Sequence, residues 1–287
     1  MSESLRIRNV TQTEMELLID WAAGEGWNPG LYDADCFFAA DPRGFFVAEL
    51  AEAPVGCISA VAYGTDFGFI GFYIVRPEFR GRGYGMKLWQ AGMEYLAPRI
   101  IGLDGVVAQQ DNYKQSGFRL AYRNIRYMAK NLKQTGPAAA GSSSTLIVPL
   151  EKIAFDLLIE YDRNLFAFGR EAFLKEWIRQ SKSVAVAICR ETKLVGYGVI
   201  RVCREGYKIG PLFADEPAGA ETLFAALTEK LHDVAVFLDV PEVNPHALAL
   251  ATNFGMVPVF ETVRMYTGDP PSIPTEKVYG VTSFELG

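Results

Sequence analysis

The segment Tyr73-Ile-Val-Arg-Pro-Glu-Phe-Arg-Gly-Arg-Gly-Tyr-Gly85 lies between two runs of opposite periodicity. The upstream run, Phe67 to Val75, is continuously apolar and rich in β-prone residues, which is typical of a buried strand. In the downstream run, apolar residues recur every three or four positions, which predicts a helix: Met86, Trp89, Met93 and Leu96. The glycine-rich loop between them therefore connects a strand to the N-terminus of a helix.

Such a loop suits a densely charged anion. Main-chain N–H groups converge at a helix N-terminus, and glycines without Cβ atoms allow close approach. Two arginines add positive charge, so a pyrophosphate is the expected ligand. The pattern is neither GxxxxGK[ST] nor GxGxxG in a βαβ unit. The alternative is a tight turn with surface arginines. The predicted anion-binding residues are Arg80, Gly81, Arg82, Gly83, Tyr84 and Gly85.

The residues around this loop predict an α/β fold, of the α+β type with a mixed sheet. Thr11-Gln-Thr-Glu14 forms a capping box before a first helix, and Asp33 to Ala40 is a second short one. Three apolar runs separated by turn residues predict a meander of strands. They are Phe45 to Leu50, Pro54 to Tyr63 and Phe67 to Val75. A later strand at Ile101 to Val107 and a short helix near Asp111 to Ser116 follow, and strands around Phe118 and at Arg123 to Ala129 complete the unit.

The second part of the chain repeats this order of elements. Three pairs of segments match: Gly102-Leu-Asp-Gly105 with Phe237-Leu-Asp-Val240, Ser116-Gly-Phe118 with Phe254-Gly-Met256, and Ile125-Arg-Tyr-Met128 with Val263-Arg-Met-Tyr266. The repeat indicates a duplicated α/β unit. A run rich in Gly, Ala and Ser separates the copies and predicts a linker. We therefore expect a domain at 1–130, a linker at 131–145 and a second domain at 146–287.

Composition limits the function classes. The 287 residues include 28 Lys and Arg against 34 Asp and Glu, a net charge of −6, which argues against a nucleic-acid partner. No apolar run reaches membrane-spanning length and the first residues do not resemble a signal peptide, so we expect a cytoplasmic protein without a membrane partner. The four cysteines and two histidines are widely spaced, which predicts neither a metal site nor a Ser-His-Asp triad.

Two motifs in order resemble the GNAT superfamily of acyl-CoA-dependent N-acyltransferases. Tyr73 to Gly85 is similar to the family's fourth strand and its R/Q-x-x-G-x-G/A pyrophosphate loop. Tyr113-Lys-Gln-Ser-Gly-Phe118 is similar to its Tyr-x-x-x-Gly-Phe motif. The resemblance covers Leu5 to Lys130 well, and the second copy through strand order and its ending alone. It implies two tandem domains of this family, the second degenerate.

The resemblance implies acetyl-CoA as the acyl donor. The loop would bind the CoA pyrophosphate, while the backbone of Ile74 and Val75 would contact the pantetheine arm where the sheet splays. Tyr113 would protonate the departing thiolate, with packing or a pantetheine contact as the alternative role. Family members often carry a glutamate on the fourth strand, but Phe67 to Val75 has no carboxylate. Either a water relay or a carboxylate from elsewhere would then serve. Asp104 is the candidate to attract or deprotonate the ammonium substrate, with a solvated or capping carboxylate as the alternative.

The residues that would contact the amine acceptor are less clearly indicated by the sequence. In Glu25-Gly-Trp-Asn-Pro-Gly30 a tryptophan occupies a loop, so we expect Trp27 and Asn28 to contact the acceptor. The alternative is that Trp27 anchors the loop to the core. Asp33 is a third acceptor-side candidate, and Asp33 and Glu25 are weaker candidates for the base.

The second copy departs from the family at both motifs. Asp215-Glu-Pro-Ala-Gly-Ala-Glu-Thr222 replaces the basic loop with acids, which repel a pyrophosphate, and Ala251 replaces the tyrosine. We expect this half neither to bind CoA nor to catalyse, but to cover the acceptor side of the first. Val278 to Phe284 predicts an added edge strand without indicating its partner.

These observations predict an N-acetyltransferase. It would move an acetyl group from acetyl-CoA directly to a primary amine of a small molecule or peptide, because no cysteine in either motif has a nearby histidine. The alternatives are a non-catalytic CoA- or metabolite-binding sensor or interaction protein, and a transferase of another acyl group. We expect a monomer or a homodimer.

Overall fold

The computed structural model describes residues 4–133 and 145–287, here called the first and second halves. Most of the predicted linker, residues 134–144, lies outside the described residues. The strands are β1 (Arg6–Asn9), β2 (Phe45–Leu50), β3 (Ala53–Tyr63), β4 (Phe67–Val75), β5 (Ile100–Val106), β6 (Arg119–Ala129), β7 (Thr145–Pro149), β8 (Val184–Arg190), β9 (Lys193–Val202), β10 (Tyr207–Ala214), β11 (Val236–Pro241), β12 (Val257–Tyr266) and β13 (Val278–Gly280).

The helices follow the apolar periodicity of the sequence. They are α1 (Met15–Gly24), α2 (Asp33–Ala40), α3 (Tyr84–Leu96), α4 (Gln110–Gln115), α5 (Phe155–Phe166), α6 (Glu171–Trp177), α7 (Pro217–Thr228) and α8 (Pro245–Asn253). The capping box before α1 forms as predicted, with the Thr11 amide donating to Glu14 over 2.9 Å.

The described strands form one mixed sheet in the order β1-β2-β3-β4-β5-β12-β6-β11-β10-β9-β8-β7, and β13 pairs with β10 off this path. The pairs β4–β5 and β10–β11 are parallel, and the other pairs are antiparallel. The mixed α/β architecture predicted from the sequence is therefore confirmed.

The halves exchange their C-terminal strands. β12 of the second half lies between β5 and β6 of the first, and β6 lies between β12 and β11. Each exchanged strand thus makes its ladder hydrogen bonds with the other half. The predicted domains 1–130 and 146–287 are separate along the chain, but their strands belong to one continuous sheet.

Crossed ion pairs fix this exchange. Arg126 of β6 donates through Nε and Nη2 to Asp239 of β11, at 2.6 and 2.8 Å. Arg264 of β12 donates in the same way to Asp104 of β5, at 2.7 and 2.6 Å. All four side chains are buried. The two matching Asp and Arg positions of the repeat therefore pair between the halves rather than within them.

Three apolar cores cover the sheet. The core around α3 and the core around α7 and α8 each belong mainly to one half. A third core joins α1 and α2 to α5 and α6, where Phe37 stacks on Trp177 with ring centroids 5.9 Å apart. This shared core and the exchanged strands make the two halves one packed unit.

The predicted C-terminal edge strand differs from the observed one. β13 covers only Val278–Gly280 and pairs with β10 inside the second half, and the Val281 amide donates to the Asp239 carbonyl of β11 over 2.9 Å. Asn244 Nδ2 donates to the Val278 carbonyl over 3.0 Å and holds the segment in place. The chain thus fills the space beside β10 and β11, where the corresponding strands of the first half leave a cleft.

We predict that Asp239→Ala lowers the free energy of unfolding by about 3–5 kcal/mol, because Arg126 would keep a buried charge without its partner. The measurement is urea unfolding followed by tryptophan fluorescence. The control is Glu261→Ala, which breaks the half-exposed pair with Arg123 and should cost less than about 1 kcal/mol. Equal losses in the two variants would contradict the structural role of the crossed pairs.

Candidate active site

The cleft between β4 and β5 contains the cavity that brings together most of the predicted site residues. The two strands pair only from Phe67↔Ile100 to Ile70↔Leu103, although they continue to Val75 and Val106. The backbones separate beyond this point. A cavity of about 530 Å³ opens there, lined by both halves.

A bulge in β4 turns its backbone at this cavity. The register with β3 shifts between Cys57 and Ser59, and Phe72 has a φ of 45°, which is unusual for a residue other than glycine. The cavity lining includes Ile74 and Val75, as expected for the pantetheine contacts. The bulge and the early end of the β4–β5 ladder together free main-chain groups of β4 from sheet pairing.

The glycine-rich loop forms a cradle of donors at the mouth of the cavity. Gly81 and Gly83 have φ values of 74° and 79°, which glycine adopts without steric cost. Among the described residues the amides from Gly81 to Met86 have no main-chain acceptor, and the first amide to bond back is that of Lys87, to Gly83. These free donors and the helix dipole favour an anion here.

Three arginines lie around the glycine-rich loop, and two of them pair with glutamates, Arg76 with Glu78 and Arg80 with Glu25. Arg80 donates through Nε to the Val75 carbonyl over 2.7 Å and pairs with Glu25 through Nη2. Arg76 and Arg82 lie over the Phe79 ring, each with Cζ 5.5 Å from the centroid. The half-exposed Arg80 can exchange its carboxylate partner for a phosphate oxygen at little cost.

Tyr84 and Gly85 form the first turn of α3. A Cβ atom built on Gly85 would lie 2.7 Å from Oη of Tyr73, so glycine leaves room for that ring. Tyr84 is partly buried at the start of the helix and is not among the residues that line the cavity. These two positions contribute main-chain donors and space rather than side-chain contacts.

Tyr113 lines the cavity from α4. Its ring stacks on Trp89 with centroids 5.7 Å apart, and a Cβ atom on Gly105 would overlap it. Burial, with a smaller effect of Tyr73, raises the pKa of Tyr113 to about 12. The phenol therefore stays protonated at neutral pH, which is the state a proton donor needs.

Asp104 also lines the cavity, but its two oxygens are occupied. Arg264 holds both, and Asn124 Nδ2 donates to Oδ1 over 2.8 Å. Burial raises the pKa of Asp104, while Arg264 and Asn124 oppose that rise. This geometry favours a positioning role for Asp104 over proton transfer.

The three predicted acceptor residues separate in the structure. Trp27 lines the cavity, and its carbonyl accepts from Arg126 Nη1 over 2.7 Å. Asn28 instead bonds through its side chain to the backbone of Glu205. Asp33 is buried in an ion pair with Arg201 at 2.9 Å. Asn28 and Asp33 therefore join the halves outside the cavity, because their partners are residues of the second half.

Several lining residues were missed by sequence reasoning. They are Arg126, Phe260, Thr262, Phe284 and Glu285, all from β6, β12 or the segment after β13. The sequence contains one indication of their importance: the segment Val263-Arg-Met-Tyr266 near the end of the second copy repeats Ile125-Arg-Tyr-Met128 of the first. That repeat does not show that the strands are exchanged.

Among residues 4–133 and 145–287, no group of three or more His, Cys, Asp or Glu is placed to hold a metal ion. None of the helices in these ranges has the length and apolar character needed to cross a membrane.

Comparison with known proteins gives the family. Residues 9–118 match the model described as "Acetyltransferase (GNAT) family", and residues 158–280 match "Acetyltransferase (GNAT) domain". Over 275 residues the chain is 30% identical to the Holothin acyltransferase of Pseudoalteromonas sp. (strain SANK 73390), covering 96% of this chain and 92% of the relative. A Mycothiol acetyltransferase from Thermobispora bispora is 40% identical over 86 residues, 28% of each chain.

Solved structures share the fold. A putative acetyltransferase from Pyrococcus horikoshii has a TM-score of 0.80 at 24% identity and covers 99% of this chain and 96% of its own. A tandem GNAT protein from the clavulanic acid biosynthesis pathway has a TM-score of 0.63 at 13% identity, over 93% and 100%. The chain therefore belongs to the GNAT acetyltransferase family, with two such domains in tandem, and it is an acyltransferase that uses acyl-CoA.

We predict that Gly105→Ala destabilises the protein by about 1–3 kcal/mol, because the new methyl group would push the Tyr113 ring out of its pocket. The measurement is urea unfolding, together with near-ultraviolet circular dichroism of the aromatic cluster. Gly219→Ala is the matched control, since its Cβ would meet Ala214 at an ordinary 3.5 Å and helical alanine is favoured. A stable Gly105→Ala variant would show that the ring is not confined.

Proposed function

We propose that this protein is an N-acetyltransferase that transfers the acetyl group of acetyl-CoA directly to a primary amine of a small molecule or peptide. The observation that carries the proposal is the cleft between β4 and β5, which combines a cradle of free amides at its mouth with the protonated Tyr113 inside. These parts match, in order, a diphosphate, a thioester arm and a leaving thiolate.

The amides of the glycine-rich loop would bind the pyrophosphate, and Arg80 and Arg82 would add charge. The freed main chain of Ile74 and Val75 would bond to the pantetheine arm. An N–H group held against the thioester oxygen would stabilise the negative charge that develops there during attack. Tyr113 would then donate its proton to the sulfur as the C–S bond breaks.

Direct transfer fits better than a covalent acyl-enzyme. Within the described chain, the residues that line the cavity include no cysteine. Burial raises the pKa values of Cys36 and Cys57, and neither thiol is near the thiolate form at neutral pH. The amine nitrogen is therefore the nucleophile of the proposed reaction.

Transfer of a larger acyl group is the second candidate. The cavity of about 530 Å³ has room beyond an acetyl group, and the relative named Holothin acyltransferase is not described as acetyl-specific. A panel of acetyl-, butyryl- and hexanoyl-CoA with each amine, followed by thiol release, distinguishes the two. A protein that binds acyl-CoA tightly but never turns over would instead support the sensor function.

We predict that Arg80→Glu together with Arg82→Glu weakens acetyl-CoA binding by about 10²-fold or more. Each lost charge-assisted hydrogen bond is worth about 1.5–3 kcal/mol, and the new carboxylates repel the phosphates. Calorimetry measures the Kd. The control is Arg190→Glu, an exposed arginine of the second half that pairs with Glu216, which should leave the Kd unchanged. An unaltered Kd in the double variant would remove the basis of the assignment.

We predict that Tyr113→Phe lowers kcat by about 10²- to 10⁴-fold while acetyl-CoA still binds, because general acid catalysis is worth about that much. A thiol-release assay measures kcat. Since the phenol has a pKa of about 12, it is protonated at every pH below that value, so its deprotonation should produce no fall in kcat between pH 7 and about 10. The control is Tyr127→Phe, a partly buried residue of β6 that packs against the core around α7 and α8.

A further inference from the structure

Three carboxylate residues line the cavity: Glu25, Asp104 and Glu285. Glu25 is bound by Arg80 at the mouth, and Asp104 is held by Arg264 and Asn124. Glu285 is 4% exposed, and none of the side-chain hydrogen bonds or ion pairs found among the described residues involves its carboxylate. It is therefore the one of these three carboxylates with both oxygens available to a ligand.

The backbone of Glu285 occupies the space that a side chain of β4 would take. A Cβ atom built on Gly71 would overlap the Glu285 carbonyl oxygen. Gly71 directly precedes Phe72, where the bulge turns the β4 backbone toward the cavity. β4 has no carboxylate of its own, and the second half thus brings one to the point where the strand bends.

The segment that carries Glu285 is anchored on both sides. Arg170 Nη1 donates to Thr282 Oγ1 over 2.9 Å, before the glutamate. After it, Tyr63 Oη donates to the Leu286 carbonyl over 2.8 Å, and the Leu286 amide donates to Ser283 Oγ over 3.1 Å. A carboxylate on such a fixed backbone is preorganised, which a residue that moves protons requires.

Buried cations surround the carboxylate without bonding to it. Arg126 is engaged by Asp239 and the Trp27 carbonyl. Arg201 donates through Nε to Asp33, and its two Nη atoms have no hydrogen-bond partner among the described residues. Lys208 donates to the carbonyls of Trp27 and Asn28. Burial lowers the pKa of Arg126, but the charges of Asp239 and, more weakly, Glu285 raise it by more. These neighbours surround the carboxylate with positive charge but form no hydrogen bond with it, so its lone pairs are free for a substrate.

We propose that Glu285 binds the amino group of the acceptor and accepts a proton from its nitrogen. This assignment rests on the proposed function. The nitrogen lone pair attacks the thioester carbon, the C–N bond forms, and the nitrogen proton passes to Glu285. The C–S bond breaks, and Tyr113 gives its proton to the sulfur. Exchange with water returns the proton from Glu285 to Tyr113, so the products are the amide and the CoA thiol.

The test compares the wild-type protein with Glu285→Gln, which keeps the size of the side chain and removes the base. The probes are acetyl-CoA with benzylamine, tyramine and a tripeptide with a free amino group. A second assay follows thiol release without an amine, since the same carboxylate would activate water. We expect kcat/KM to fall by about 10²- to 10⁴-fold in the variant, with the Kd for acetyl-CoA unchanged.

A further readout separates chemistry from folding. Formate should restore part of the activity of Glu285→Ala, because the vacated space accepts a free carboxylate. The control is Glu276→Gln, an exposed glutamate just before β13, which should behave as wild type.

The outcomes distinguish the two levels of the proposal. A wild-type protein that binds acetyl-CoA but releases no thiol in either assay overturns the proposed function, and the assignment of Glu285 with it. Wild-type turnover that Glu285→Gln leaves within about twofold overturns the assignment alone. Loss of acetyl-CoA binding in Glu285→Gln, without rescue of Glu285→Ala by formate, identifies a structural role and also overturns it.

Discussion

The exchange of β6 and β12, closed by the crossed pairs Arg126–Asp239 and Arg264–Asp104, is the constraint on which the rest of the structure depends. Removing four charges from water costs several kcal/mol per ion, and only a bidentate geometry with further hydrogen bonds offsets that cost. Each of the two arginines has this geometry with an aspartate of the other half. Each half therefore contains a buried charge that the other half neutralises.

The same exchange builds the acceptor side of the cavity. Because β12 inserts beside β5, its Phe260 and Thr262 reach the cleft that opens between β4 and β5. Asp104 illustrates the consequence. Its place at the end of β5 made it a candidate base, but the inserted strand brings Arg264 against it and occupies both oxygens. Asp104, which the sequence predicts to be a base, thus joins β5 to β12 at the wall of the cavity through its ion pair with Arg264.

The C-terminal segment accounts for the difference between the halves. β13 fills the space beside β10 and β11, at the position that corresponds to the cleft of the first half. Acidic residues also replace the basic loop in the second half. The segment then crosses to β4, where Gly71 makes room for it. One stretch of chain thus fills this position in the second half and lines the cavity of the first.

The sequence by itself determined the features that depend on neighbours along the chain. The strand, loop and helix from Phe67 to Leu96, the capping box, and the duplicated order of elements all follow from local periodicity and turn chemistry. Tertiary structure alone decided that Asp33 pairs with Arg201, that Asp104 pairs with Arg264, and that Glu285 lies beside Gly71. These partners are more than 100 residues apart in the chain, and a periodic pattern records which face of a strand is buried but not which distant strand covers it.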